Sequence, residues 1–194
     1  MRREVQVEIV RRVLDLHRRG TTDLADAPLR VPATDYTSAD VLAAEQRILL
    51  RDRPVAVCLS ADVAQPGDVL ATTSGGVPLL LVRDDAGTLR AFVNACRHRA
   101  SPLADLGCTS GAHGLTCRFH GWTYGLDGAL RGRPFAGEAF AGIDVGDLGL
   151  RERPVAEAHG VIVVRPGGGD EPVSVDDLFG DLADDIADLS LIHI

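Results

Sequence analysis

The first third of the chain carries its apolar residues at helical spacing. Over residues 4–18 they recur every three or four positions among charged residues, which predicts an amphipathic helix ending near Gly20. Residues 21–32 are polar and contain prolines, as is typical of a linker. A second helix is predicted over residues 39–51, because Ser38 can cap its first turn.

From residue 54 onward the apolar residues fall in short runs, which predict β-strands. Turn sequences such as Asp85-Ala86-Gly87 and Asp127-Gly128 separate short apolar runs. The predicted strands cover residues 55–59, 68–72, 77–83, 89–94, 115–117, 122–126, 129–131, 150–156 and 160–165. Many short strands joined by tight turns predict a mainly β fold with flanking helices, in the form of a small antiparallel sandwich or barrel.

The end of the chain returns to a helical pattern. Residues 174–189 alternate aspartates with apolar residues, which predicts a helix whose acidic face is solvated. The patterns together divide the chain into an N-terminal helix and linker (1–32), a β domain (33–166) and a C-terminal segment (167–194).

Composition narrows the possible functions. The chain has 194 residues, 45% of them hydrophobic, which fits one globular domain with an appendage. Its net charge of −8 argues against nucleic acid as a partner, because phosphate binding requires a basic face. No stretch approaches the roughly twenty apolar residues of a membrane span, and charged residues interrupt any signal sequence at the start. We therefore expect a cytoplasmic protein that binds neither membrane nor nucleic acid.

Two short motifs indicate a metal site. Cys96-Arg97-His98 and Cys117-Arg118-Phe119-His120 each offer one thiolate and one imidazole. Such a set suits a [2Fe-2S] cluster in which one iron takes both cysteines and the other both histidines. A structural zinc ion is the alternative. Zinc sites usually take two ligands of the same type from one motif, whereas each motif here offers one cysteine and one histidine. The candidate ligands are Cys96, His98, Cys117 and His120.

The sequences around these motifs resemble the Rieske domain of aromatic-ring-hydroxylating oxygenase large subunits. The resemblance covers residues 33–166 and is strongest over residues 94–100 and 117–128. The extra cysteines that form a disulfide in respiratory Rieske proteins are replaced here by Ser101 and Phe119.

The resemblance also singles out two residues next to the cluster. Trp122 stands where respiratory Rieske proteins have a serine, whereas their tyrosine is kept as Tyr124. One hydroxyl donor to the cluster is therefore absent. We expect a potential low in the Rieske range, near roughly −150 mV, because fewer hydrogen bonds stabilise the reduced cluster.

The resemblance implies a role within a larger enzyme. In that family a reductase or ferredoxin supplies electrons to the cluster, which passes them to a mononuclear Fe(II) held by two histidines and a carboxylate. That iron activates dioxygen to hydroxylate an aromatic or related apolar substrate. The subunits form homo-oligomers or alpha-beta assemblies.

This sequence has no second histidine set with the spacing of such an iron site. We therefore expect no catalytic residue in this chain. The mononuclear Fe(II) is expected in a missing catalytic domain that begins within residues 167–194.

Residues 189–194 match what one reading frame of a sequencing adapter encodes, so we expect an artefactual end. Two other functions stay open at this stage. A stand-alone Rieske ferredoxin would be an electron carrier, although the roughly fifty residues before the first strand are unusual for one. A zinc-stabilised interaction module is the third possibility.

Overall fold

The structure is a computed structural model that describes residues 3–135, 140 and 142–192. The last two residues of the predicted artefactual end, 193 and 194, lie outside the described residues. No helix in the described part of the chain is both long and apolar enough to cross a membrane.

Three helices precede the sheets: α1 (Arg3–Arg19), α2 (Thr34–Thr37) and α3 (Ala39–Arg47). The N-terminal helix is confirmed, and none of its residues is buried. The Ser38 hydroxyl caps α3 as predicted by accepting the Val41 N–H at 3.4 Å. The second predicted helix ends early, however, because its last turn widens into a π-helical turn, Ile48–Asp52.

The β region consists of antiparallel strands in three sheets. Their bounds are β1 Val55–Leu59, β2 Val69–Ser74, β3 Val77–Arg83, β4 Leu89–Val93, β5 Gly107–Thr109, β6 Leu115–Thr116, β7 Thr123–Tyr124, β8 Leu130–Gly132, β9 Val155–Ala158 and β10 Val161–Val164. The sheet orders are β1-β10-β9, β4-β3-β2-β5 and β6-β7-β8. The mainly β, antiparallel fold is confirmed in its open form, since the described strands do not close into a barrel.

Two strand predictions need correction. The strand β5 was not predicted, because its short glycine-containing run has no alternation of its own and becomes a strand only by pairing with β2. The strand predicted over 150–156 begins only at Val155. Pro154 has no N–H to donate, and the residues before it touch β4 through the single bridge Phe92–Glu152.

The central strand β3 separates two hydrophobic cores. Successive side chains of a strand point to opposite faces, so Leu80 and Val82 pack into one core while Leu79 and Leu81 pack into the other. The first core also contains the buried residues of the β6-β7-β8 sheet, including Tyr124. Because both faces of β3 are covered, the strands on either side of it provide a rigid base for the loops that follow them.

The C-terminal segment forms two short helices instead of the single one predicted. These helices are α4 (Val175–Phe179) and α5 (Ala183–Ile192). Between them Gly180 adopts a positive φ of 53°, a conformation that ends a helix and favours glycine.

Candidate metal centre

The first candidate ligand loop follows β4 directly. Its turn is closed by two backbone hydrogen bonds across the cysteine: Ala100 N–H donates to Cys96 O at 2.8 Å, and Cys96 N–H donates to Ser101 O at 2.8 Å. Ala100 has a positive φ of 57°, which costs an L-residue energy and is ordinarily assigned to glycine. The loop therefore holds Cys96 and His98 on a tight, strained turn.

The second loop connects β6 to β7 and repeats this design. Gly121 N–H donates to Cys117 O at 3.0 Å, and Cys117 N–H donates to Trp122 O at 2.8 Å. Gly121 supplies the positive φ of 69° at the position equivalent to Ala100. Two loops of the same shape thus present their cysteine and histidine side chains toward each other.

The structure brings all four predicted ligands together. The rings of His98 and His120 lie with their centroids 4.5 Å apart, and the Cys117 thiol makes a side-chain hydrogen bond with Cys96. The cysteines are only 3% and 2% exposed, while His98 is half-buried and His120 is exposed. The thiols therefore form the inner end of the site and the imidazoles form its outer end.

Local electrostatics favour the protonation states that bind metal. Burial raises the pKa of the Cys117 thiol, but hydrogen bonds from the backbone N–H groups of Phe119 and His120 outweigh it, so the pKa is lowered from its ordinary value. Burial lowers the pKa of His98, and the charges of His120 and Arg99 lower it further. A thiolate and a neutral imidazole are the ligand forms that metal binding requires.

Tyr124, which the family resemblance predicted next to the cluster, contacts Cys96. Its side chain is fully buried, its hydroxyl accepts the Arg97 N–H at 2.9 Å and its oxygen lies 3.3 Å from Cys96 Sγ. Because the lone pair faces Arg97, the hydroxyl hydrogen is available to Cys96. Burial and the hydrogen bond to Cys96 raise the pKa of Tyr124, so the hydroxyl keeps this hydrogen.

Aromatic rings surround the histidines. Trp122 is buried and stacks on His98 with centroids 5.0 Å apart and planes 6° apart. Phe140 contacts both rings edge-on, at 5.7 Å from His98 and 5.2 Å from Trp122. Phe140 was not predicted from the sequence, because it lies outside both motifs in a stretch without strand or helix periodicity. On the outside, Phe119 covers His120 at a centroid distance of 3.9 Å.

The donor set fits a two-iron cluster. His98 Nδ1 is buried and has no hydrogen-bond partner in the described structure, which suits a nitrogen that binds a metal. A Rieske cluster takes two protein ligands per iron, two thiolates on one and two imidazoles on the other, and this site offers two of each kind.

Comparison with known protein families agrees with this geometry. Residues 53–148 match the family model described as the Rieske [2Fe-2S] domain. Residues 53–148 form a Rieske [2Fe-2S] domain. The family resemblance inferred from the sequence is thereby confirmed, and with it a [2Fe-2S] cofactor and an electron-transfer role for this domain.

The relatives of this Rieske chain are oxygenase components. It is 34% identical over 169 residues to the glycine betaine monooxygenase oxygenase subunit of Chromohalobacter salexigens, a match over 84% of this chain and 36% of that protein. It is 37% identical over 102 residues to the large oxygenase component of the 2,4-dinitrotoluene dioxygenase system of a Burkholderia species, covering 52% of this chain and 22% of that protein. The chain thus spans about a third or less of these relatives.

A solved structure shows the same architecture. The crystal structure of the quaternary ammonium Rieske monooxygenase CntA superposes with a TM-score of 0.72 at 25% sequence identity. The superposition covers 82% of this chain and 44% of that chain. The names of these relatives describe subunits and components of oxygenase systems.

Proposed function

We propose that this chain is the electron-transfer part of a Rieske oxygenase alpha subunit, with Cys96 and Cys117 binding one iron and His98 and His120 the other. The observation that carries the proposal is the convergence of two matching loops on one point, with buried thiols and outward-facing imidazoles. A [2Fe-2S] cluster held there would accept and release one electron at a time.

The protein residues around the site have separate roles in this proposal. Tyr124 donates a hydrogen bond to Cys96 and so stabilises the more negative, reduced state. The stacked Trp122 excludes water from one face of His98. His120 lies at the surface, which gives electrons a short path between the site and a neighbouring protein.

The complete enzyme would need a second iron for oxygen chemistry. A mononuclear Fe(II) site of two histidines and a carboxylate requires open positions for dioxygen, and the described residues contain no group that could form one. We propose that this site belongs to residues outside the chain. A reductase or ferredoxin would supply the electrons, and the subunit would act within a homo-oligomer or an alpha-beta assembly.

The relatives favour one substrate class. The similarity to the glycine betaine monooxygenase extends over 169 residues, well beyond the Rieske domain, whereas the similarity to the dinitrotoluene dioxygenase stops at 102. We therefore propose a quaternary ammonium compound as the substrate of the complete enzyme. An aromatic substrate, which the sequence analysis expected, is the alternative. The oxygenase relatives support a subunit of this kind over a stand-alone carrier.

Metal and sulfide analysis of the purified chain tests the proposed ligands. We expect two irons and two acid-labile sulfides per chain, and loss of both in Cys96→Ala and in Cys117→Ala. The matched control is Cys108→Ala, because Cys108 is exposed on β5 and should be dispensable. Zinc in place of iron, or full iron retention in either ligand variant, would refute the assignment.

A further inference from the structure

A cleft of about 370 Å³ opens beside the first ligand loop. Cys96 and His98 form part of its wall, so whatever occupies the cleft lies next to the proposed cluster. None of the described residues that line it is an aspartate or a glutamate. Its other charged lining residues are all arginines, namely Arg97, Arg99, Arg151 and Arg153.

Two of these arginines, Arg151 and Arg153, lie two residues apart on an extended segment. The segment Arg151-Glu152-Arg153 runs beside β4, with Val93 N–H donating to Arg151 O at 2.9 Å and Arg153 N–H donating to Ala91 O at 2.8 Å. Side chains of an extended segment alternate between its two sides. The two arginines therefore face the cleft, while the Glu152 carboxylate turns away and pairs with Arg90 at 3.2 Å.

Five arginines elsewhere in the β domain pair with carboxylates, while Arg133 lies over the Phe140 ring instead. The pairs are Arg83–Glu157, Arg90–Asp84, Arg118–Asp105, Arg131–Asp127 and Arg165–Glu171. By contrast, none of the four cleft arginines forms an ion pair with a carboxylate within the described ranges. The Arg97 side chain donates to the backbone oxygen of Asp147, and its buried Nε atom has no hydrogen-bond partner in the described structure. The Arg153 side chain donates to the backbone oxygens of Pro166 and Glu152, which carry no full negative charge. The cleft thus gathers four arginines that have no carboxylate partner among the described residues.

This arrangement is unfavourable in the isolated chain. Burial lowers the pKa of Arg153, and the nearby charges of Arg151 and Arg51 lower it further. Such uncompensated positive charge is unusual in a chain with a net charge of −8. A partner that brings negative charge would relieve the repulsion and would also be attracted over a distance.

We propose that this cleft docks the acidic surface of one kind of partner, a [2Fe-2S] ferredoxin that serves as the electron donor. The inference rests on the proposed function, because only an electron-transfer domain has a reason to receive a donor beside its cluster. Because the cleft is lined by arginines, we expect its partner to be acidic. Because His98 and Cys96 form part of its wall, a donor docked there would lie next to the proposed cluster.

Stopped-flow reduction of the cluster-loaded chain tests the proposal, with a reduced, acidic [2Fe-2S] ferredoxin as the probe. We compare Arg151→Glu with Arg151→Lys, which keeps the charge, and with Arg30→Glu. The Arg30 control makes the same charge change on the exposed linker. The reduction potential of each variant is measured, so that rates are compared at equal driving force.

We expect the second-order rate constant of Arg151→Glu to fall about tenfold at low ionic strength, because electrostatic steering is lost. The two comparison variants should stay within about twofold, and the difference should shrink at about 0.5 M salt.

Three outcomes would overturn the docking inference. An unchanged rate in cluster-loaded Arg151→Glu overturns it and leaves the proposed function intact. A changed sedimentation coefficient with an unchanged rate would assign the cleft to contacts between copies of the chain. A chain that binds no cluster overturns the proposed function itself.

Discussion

The two ligand loops have the same backbone closure but very different support. The first loop is fixed from beneath by the buried side chain of Asn94, whose oxygen accepts the Leu103 N–H at 2.8 Å and whose nitrogen donates to Ala104 O at 2.8 Å. The second loop also buries Cys117 and Trp122, but its side-chain ion pair, Arg118–Asp105, lies at the surface, with each side chain 79% exposed.

This difference shows how a site can be both fixed and accessible. Buried hydrogen bonds cannot be replaced by water, so they hold the first loop in one conformation. The second loop carries the exposed residues Phe119 and His120 and remains open to a partner. Variants of the two loops should therefore differ in stability far more than their similar sequences suggest.

The largest effect is expected for Asn94→Ala. This change leaves the buried N–H of Leu103 without its acceptor and the Ala104 carbonyl without its donor, which should lower the free energy of unfolding by about 3 kcal/mol. Urea denaturation followed by circular dichroism measures it. The control Arg118→Ala removes an exposed pair and should cost less than about 0.5 kcal/mol. Equal losses in the two variants would contradict the proposed difference between the loops.

A smaller effect is expected for Tyr124→Phe, which tests the link between the first loop and the cluster. Losing one hydrogen bond to Cys96 should disfavour the reduced state by about 1 kcal/mol. For a one-electron couple this lowers the reduction potential by about 40 mV. Protein-film voltammetry measures the shift, and Thr123→Val on the same strand serves as the control with no expected change. A potential that is unaltered in Tyr124→Phe would remove Tyr124 from this role.

The smallest effect concerns the β3–β4 turn that leads to the first loop. Although burial of Asp84 raises its pKa, the hydrogen bonds from Arg90 and from the Thr88 and Ala86 N–H groups outweigh it, so the pKa is lowered. When the pKa of a carboxyl group is lower in the folded chain than in the unfolded chain, its ionised form stabilises the fold. This stabilisation is present above the unfolded-state pKa of about 4 and is lost as the pH falls through the folded-state pKa.

The variant Asp84→Asn tests this dependence, because asparagine keeps an acceptor for the two N–H groups but loses the charge that pairs with Arg90. We expect it to be less stable than the natural chain by about 1 kcal/mol at pH 7, with the gap closing below about pH 4. Thermal unfolding scans across this range measure it. A gap that persists unchanged in acid would show that the carboxylate charge has no part in holding the turn.

Part of the fold could be predicted because its signals are local. The period of the N-terminal helix and the tight turns between β2, β3 and β4 depend on residues close together in the sequence, and these elements are confirmed. The strand β5 and the break at Gly180 could not be predicted in the same way. The first exists only through pairing with β2, and the second depends on how the C-terminal segment turns after α4.

For the site, the sequence by itself determined the chemistry. Two thiols and two imidazoles at a one-residue and a two-residue gap predict a cluster-type ligand set from the sequence alone. The tertiary structure decided which residues far apart in the sequence come into contact. It buried the cysteines and exposed His120, and it placed Tyr124 against Cys96 and Phe140 against Trp122. It also gathered four arginines around one cleft without a carboxylate partner in the described part of the chain. Burial and charge pairing arise from residues far apart in sequence, which no local pattern encodes.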